Sequence, residues 1–200
     1  KRWVFKVPQN DSLMADAIAA HMAAAGVKTV GFIGFNDAYG DGWAKEFERA
    51  AGEKGIKIVA AERYARADTS VTGQVLKLVA ANPDAILIGA SGTAAALPQT
   101  SLRDRGYKGL IYQTHGAASM DFIRIAGPAA EGVLMASGPV IAAPLASAPK
   151  DRPSKKPVGA VARAQPAMVG ARSMLLVRRD EVPAATVGPR TSSGTCTDSS

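Results

Sequence analysis

Three short stretches carry the residues best suited to chemistry on a small molecule. FNDAYGDG (35–42) offers Tyr39 between Asp37 and Asp41, GASGTAA (89–95) offers Ser91, Gly92 and Thr93, and QTHGAAS (113–119) offers His115 and Gly116. Hydroxyls and an imidazole both donate and accept hydrogen bonds. The small residues beside them let a ligand come close to backbone N–H groups. Plainer roles compete. Tyr39 fits a turn aromatic with an apolar body and a polar tip. Ser91 and Thr93 suit helix N-caps, and Asp37 and Asp41 suit turn and cap positions. His115 competes with a satisfied structural histidine, and His21, beside Met22 on a helical stripe, reads as structural.

Catalysis finds little support in the same residues. Ser91, His115 and Asp37 match a nucleophile triad in composition only. GASGT departs from the nucleophile elbow G-x-S-x-G because Thr93 takes the last glycine position. No G-x-G-x-x-G follows the first strand and no Walker lysine is present, so neither phosphate cradle is expected. Two histidines and Cys196 are too few for a zinc site. The expectation is a binding protein without catalytic residue, metal or cofactor. A hydrolase using Ser91 and His115 is the alternative that turnover lost in His115→Ala would favour.

These turns need a scaffold, and the apolar pattern supplies one. Strands are expected at 3–7, 28–35, 57–64, 84–90, 109–113 and 132–137. Helices are expected at about 11–25, capped by Asp11 and stopped by Gly26, at 40–55, 70–82 (ended by Pro83), 93–105 and 119–126. The second helix places Trp43, Phe47 and Ala50 inward and Lys45, Glu46, Glu48 and Arg49 outward. Continuous apolar strands alternating with helices imply an α/β fold, an open doubly wound parallel sheet with helices on both faces. In such sheets ligands sit at the carboxyl ends of the strands. All three polar turns fall on that edge, and their convergence weighs more than any one of them.

Composition sets the outer limits. No apolar run is long enough to span a bilayer, and no signal peptide is visible after Lys1. The single cysteine excludes an internal disulfide. The net charge of +7 raises the question of nucleic acid. Over half of that excess falls in residues 151–200, so no nucleic-acid partner is expected. The composition shifts near residue 147. Beyond it there is no Phe, Trp or Tyr, and Pro153, Pro157, Pro166, Pro183 and Pro189 break most helical windows. The expected organisation is an α/β ligand-binding lobe over 1–146 and an irregular Pro/Ala/Arg-rich tail over 147–200.

WVFKVPQND, VGFIGFNDAYGDGW, GASGTAAALPQTSLRDRGYKG, YQTHGAAS and IAGPAAEGVLMAS together resemble the second lobe of type I periplasmic binding proteins of the leucine/isoleucine/valine-binding type. These are soluble receptors of ABC importers. The resemblance covers roughly residues 1–157, ending at PSKKP. It implies a periplasmic or cell-surface receptor in which two lobes close on a small solute and present it to a membrane permease. It also implies that Tyr39 takes the place of the family's tyrosine, and Ser91 and Gly92 that of a turn after the middle strand. His115 stands where the family carries an acid facing the ligand's ammonium.

A histidine there pairs poorly with a cationic amine and can donate to a carboxylate or a phenolic oxygen. The expected solute is a small amino acid or an aromatic or other carboxylate, the histidine favouring a carboxylate over a plain amino acid. A ligand-sensing receptor domain is the alternative within the same fold. The resemblance further implies a first lobe before Lys1. Beyond about residue 157 the aromatic-poor sequence reads as out-of-frame, an expectation that the other two reading frames of the coding DNA test.

Overall fold

The computed structural model describes residues 10–137 in full and 173–176 as backbone. The strand expected at 3–7 and most of the segment 147–200 lie outside the described residues. Helix α1 (Asp11–Ala24) is capped one residue earlier than expected. Asn10 has extended backbone and its side chain accepts from Ser12 N at 3.3 Å. Asp11 is thus already helical, in the first turn where the helix dipole favours a carboxylate. Gly26, at φ +79°, lets the chain turn out of the helix.

Strand β1 (Thr29–Phe35) leads into α2 (Ala38–Glu53). This helix starts two residues before the expected position because Asp37 caps it, accepting from Tyr39 N and Gly40 N at 3.0 Å each. Strand β2 (Lys57–Tyr64), α3 (Thr72–Ala80) and β3 (Ala85–Gly89) follow. The next helix is shorter than expected. Gly92 adopts φ +61°, a short 3-10 turn runs from Gly92 to Ala95, and only then does α4 (Ala96–Asp104) begin. Strand β4 (Leu110–Gln113), a 3-10 turn at His115–Ala117, α5 (Met120–Ala126) and β5 (Leu134–Ser137) complete the unit.

The sheet runs β2-β1-β3-β4-β5, parallel throughout. Strand β6 (Ser173–Leu176) adds an antiparallel edge in register with β5, from Leu134 opposite Leu176 to Ser137 opposite Ser173. An irregular tail is expected there, and β5 was expected to be the last strand. The tail instead returns one strand to the sheet.

Helices cover both faces, as the apolar runs predict. On one face α1 and α2 bury Ile18, Met22, Trp43 and Phe47 against Val30, Phe32, Leu87 and Tyr112. On the other, α3, α4 and α5 bury Val75, Leu78, Leu102 and Phe122 against Ile33, Phe35, Ile86 and Ile88. Trp43, Phe47 and Phe122 are fully buried, each contributing about 2–3 kcal/mol of transfer free energy. That double cover fixes the strand ends in place. Chain order reverses direction between β1 and β3, so the topological switch lies where the first two polar turns emerge.

Candidate functional site

The carboxyl ends of β1, β3 and β4 are tied together by one hydrogen-bonded chain. Tyr39, on the first turn of α2, places its phenol 3.1 Å from Thr114 Oγ1. Thr114, fully buried after β4, donates to Ala90 O after β3 at 2.5 Å. Gly116 closes the group. A Cβ added there would lie 2.6 Å from the Tyr39 oxygen and 2.7 Å from Ser91 Cβ. Three of the residues expected to form a site therefore meet at one point. Burial raises the Tyr39 pKa above its usual 10.0, so the phenol stays protonated.

Ser91 does not cap the helix that follows it. Its backbone is extended, and it makes no side-chain cap bond. Its hydroxyl instead accepts from Arg66 Nη1 at 3.2 Å. Arg66 follows β2 on the same edge. Its Nε donates to Asp37 Oδ2 at 2.6 Å, and its guanidinium lies 4.0 Å above the Phe35 ring and 5.9 Å from that of Tyr39. The backbone N–H of Gly40, with Arg66 and Tyr39 N beside it, holds the Asp37 carboxyl below its usual value against the opposing effect of burial. Asp37 is thus the helix cap expected of it and an ion-pair partner besides. That carboxylate is committed to Arg66 and two backbone N–H groups.

His115 is 12% exposed and packs its ring 5.7 Å from that of Trp43, one helical turn beyond Tyr39 on α2. Its Nε2 lies 3.7 Å from Asp11 Oδ1. Position 115 carries no acid in the sequence, but α1 brings one beside it. Thr93 is exposed and Gly92 has open space about its Cα, so this backbone is approachable. The remaining candidates take the plainer roles. Asp41 pairs with Arg63 at 3.4 Å. His21 Nδ1 lies 2.9 Å from the Tyr112 hydroxyl, and burial lowers its pKa.

Sequence reasoning missed Arg66, Thr114 and Asp11. Arg66 had a usable signal: it lies two residues past the end of β2, on the carboxyl edge that the three polar turns share. Thr114 was hidden because its role depends on Ala90 and Tyr39, both distant in sequence. Among the described residues, no group of three or more His, Cys, Asp or Glu is placed to hold a metal, and no helix is long and apolar enough to cross a membrane.

Comparison with known proteins agrees with this architecture. The family model described as periplasmic binding protein matches residues 1–176, past residue 157 where the recognisable motifs end. A solved structure from Rhodopseudomonas palustris is 69% identical over 67% of this chain and 38% of its own, with a TM-score of 0.66. An extracellular ligand-binding receptor from the same species is 62% identical over 72% of this chain and 40% of its own, at 0.68. A leucine-binding protein from Thermotoga maritima is 26% identical over 68% and 40%, at 0.62. The chain thus spans about two fifths of each of these structures. No curated protein matches it.

Proposed function

The chain belongs to the periplasmic binding protein family, and from that premise we propose that it is the second lobe of an extracytoplasmic receptor that captures a small carboxylate solute for an ABC importer. One observation carries the reading. Tyr39, Ser91 and Gly116 converge on a single point at the carboxyl edge, beside the switch between β1 and β3. A sheet edge with this topology is where α/β folds bind ligands. The kinship to ligand-binding receptors favours capture over turnover.

Solute chemistry follows from the charges. Arg66 brings a hydrogen-bond donor to the edge, which suits an anionic group, whereas His115 faces the Asp11 carboxylate at 3.7 Å. The leucine-binding relative makes an amino acid the reference ligand to exclude. Calorimetric titration with leucine and with benzoate-type acids separates the two. The proposal expects saturable binding of a carboxylate, no turnover, and at least a tenfold loss in Gly116→Ala, whose methyl would displace Tyr39 or Ser91. Micromolar leucine binding with no response to benzoate-type acids would sink the non-amino-acid reading. An undiminished affinity in Gly116→Ala would remove the site from this edge.

A further inference from the structure

We propose that Tyr64 and Gln113 are positioning residues, which set the shape of the Gly92–Ala95 turn and through it the affinity of the site. The inference rests on the receptor reading above and deepens it by naming what holds one wall of that site. Tyr64 is 2% exposed and Gln113 is fully buried, so neither touches the solute. A 3-10 turn of four residues has little hold on its own shape, because its hydrogen bonds are few and poorly aligned. Gly92 adopts φ +61° within it, and Ser91 lends no cap. The shape is imposed from outside, through the carbonyls of the segment. Ala90 O accepts from Thr114 Oγ1. Ala94 O accepts from the Tyr64 phenol at 3.0 Å, and Ala95 O from Gln113 Nε2 at 3.2 Å. Adjacent residues at the end of β4 thus hold the chain on either side of Gly92. The end of β2 reaches it from the opposite flank, across β1.

The direction of each bond is fixed. A carbonyl oxygen only accepts, so the Tyr64 proton points at Ala94 O and a Gln113 proton at Ala95 O. Gln113 Nε2 also lies 3.4 Å from Gln99 Oε1, and Gln99 Nε2 donates to Ala129 O at 2.6 Å. Turning either amide round would set oxygen against a carbonyl oxygen. The two glutamines therefore link the turn before β5 to the turn after β3 in one direction only. Gln113 Oε1 has no hydrogen-bond partner among the described residues. Packing alone does not call for an amide here, since a methionine of similar length would fill the space and leave no buried group unpaired. What the amide adds is the bond to Ala95 O. Tyr64 has a second link of its own. Its carbonyl accepts from Asn36 N at 2.8 Å, so one residue joins the turn after β1 to the turn after β3.

Tyr107 supplies a matched control, because its buried phenol donates to Pro83 O at 2.9 Å at the opposite end of the sheet. Tyr64→Phe and Tyr107→Phe remove the same kind of bond and should lower stability alike. Backbone carbon shifts of the full chain, which follow φ and ψ, are first read by NMR without solute. They should move at residues 91–95 in Tyr64→Phe and in Gln113→Met, and stay in place there in Tyr107→Phe. Benzoate and leucine are then titrated into each protein. The probe that binds the wild type should bind Tyr64→Phe and Gln113→Met about three- to tenfold more weakly, the effect of one hydrogen bond. Its affinity for Tyr107→Phe should be unchanged. Gln99→Met keeps the Ala95 bond and should fall between. A role in packing alone would lower stability in all four variants and leave the affinity of the folded fraction as it was. Unmoved shifts at 91–95 in both Tyr64→Phe and Gln113→Met overturn the proposal, as does an equal loss of affinity in Tyr107→Phe. Binding of neither probe to the wild type overturns the receptor reading and the affinity claim with it. The solute-free shifts distinguish that result from a failure of the two residues to hold the turn.

Discussion

The two ends of the sheet are built from similar polar residues to different purposes. At the amino end, the Asp84 carboxylate accepts from Lys28 N, Thr29 N and Thr29 Oγ1 at 2.8–3.0 Å. Its own N–H donates to Thr29, and Leu110 N donates to its carbonyl. Beside it the Tyr107 hydroxyl donates to Pro83 O at 2.9 Å. These partners are backbone or side chains of neighbouring strand starts, and they register β1, β3 and β4. At the carboxyl end, Arg66, Ser91 and Tyr39 also bond across strands, but each keeps a donor or acceptor to offer. Saturated hydrogen bonding serves registry, whereas on the function proposed above the incomplete hydrogen bonding serves a ligand.

Substitutions at each end should separate these roles. The largest effect on stability is expected at the amino end. A methyl at Gly109 would lie 2.3 Å from the Tyr107 oxygen and 2.7 Å from Asp84 O, which is backbone and cannot move aside. Gly109→Ala should cost about 2–3 kcal/mol in denaturant unfolding, with solute affinity of the folded fraction unchanged. Thr114→Val comes next and is the case that joins both roles. It strands the buried Ala90 carbonyl and releases the Tyr39 proton, so about 1–2 kcal/mol of stability should go and solute affinity with it. Asp84→Ala should cost about 1 kcal/mol, as the loss of a cap does, again without touching affinity.

Smallest at neutral pH is Tyr39→Phe, expected to change stability by under about 1 kcal/mol while weakening solute binding. If Asp84→Ala reduced affinity as much as Thr114→Val, the division between the two ends would fail.

Titration sharpens the same contrast. Both Asp84 and Asp37 are held below the usual 3.8, Asp84 chiefly by the Lys28 and Thr29 N–H groups and Asp37 chiefly by Gly40 N–H. Their stabilising effect is complete above the unfolded value and is lost as pH falls below about 4 toward each folded pKa. His21 acts earlier. Burial lowers its pKa from 6.5, so the unfolded chain binds the proton first, and stability should begin to fall as pH drops below about 6.5. Acid unfolding of His21→Gln should lose that earlier step and keep the later one.

The fold was legible because its signals are local. Apolar runs of strand length, glycines such as Gly26 and the stripe of Trp43 and Phe47 each state their role within a few residues. The edge carrying the candidate site was legible for the same reason, since strand order dictates which turns share it. Individual roles at that edge were not. Ser91 looks like an N-cap until Arg66 is seen to claim its hydroxyl. Asp11 looks like a cap until Asn10 takes that position and leaves the carboxylate beside His115. The strand at 173–176 was hidden because its partner Leu134–Ser137 lies far back in the chain.

The central claim, a solute site at the carboxyl edge, is tested most directly by mapping backbone amide shifts of the full chain on titration with benzoate-type acids and with leucine. The account predicts saturable changes concentrated in residues 36–41, 65–67, 90–93 and 114–117, with the amino-end turns at 82–84 and 105–109 unmoved. Changes centred on the amino-end turns, or spread evenly over the sheet, would contradict it.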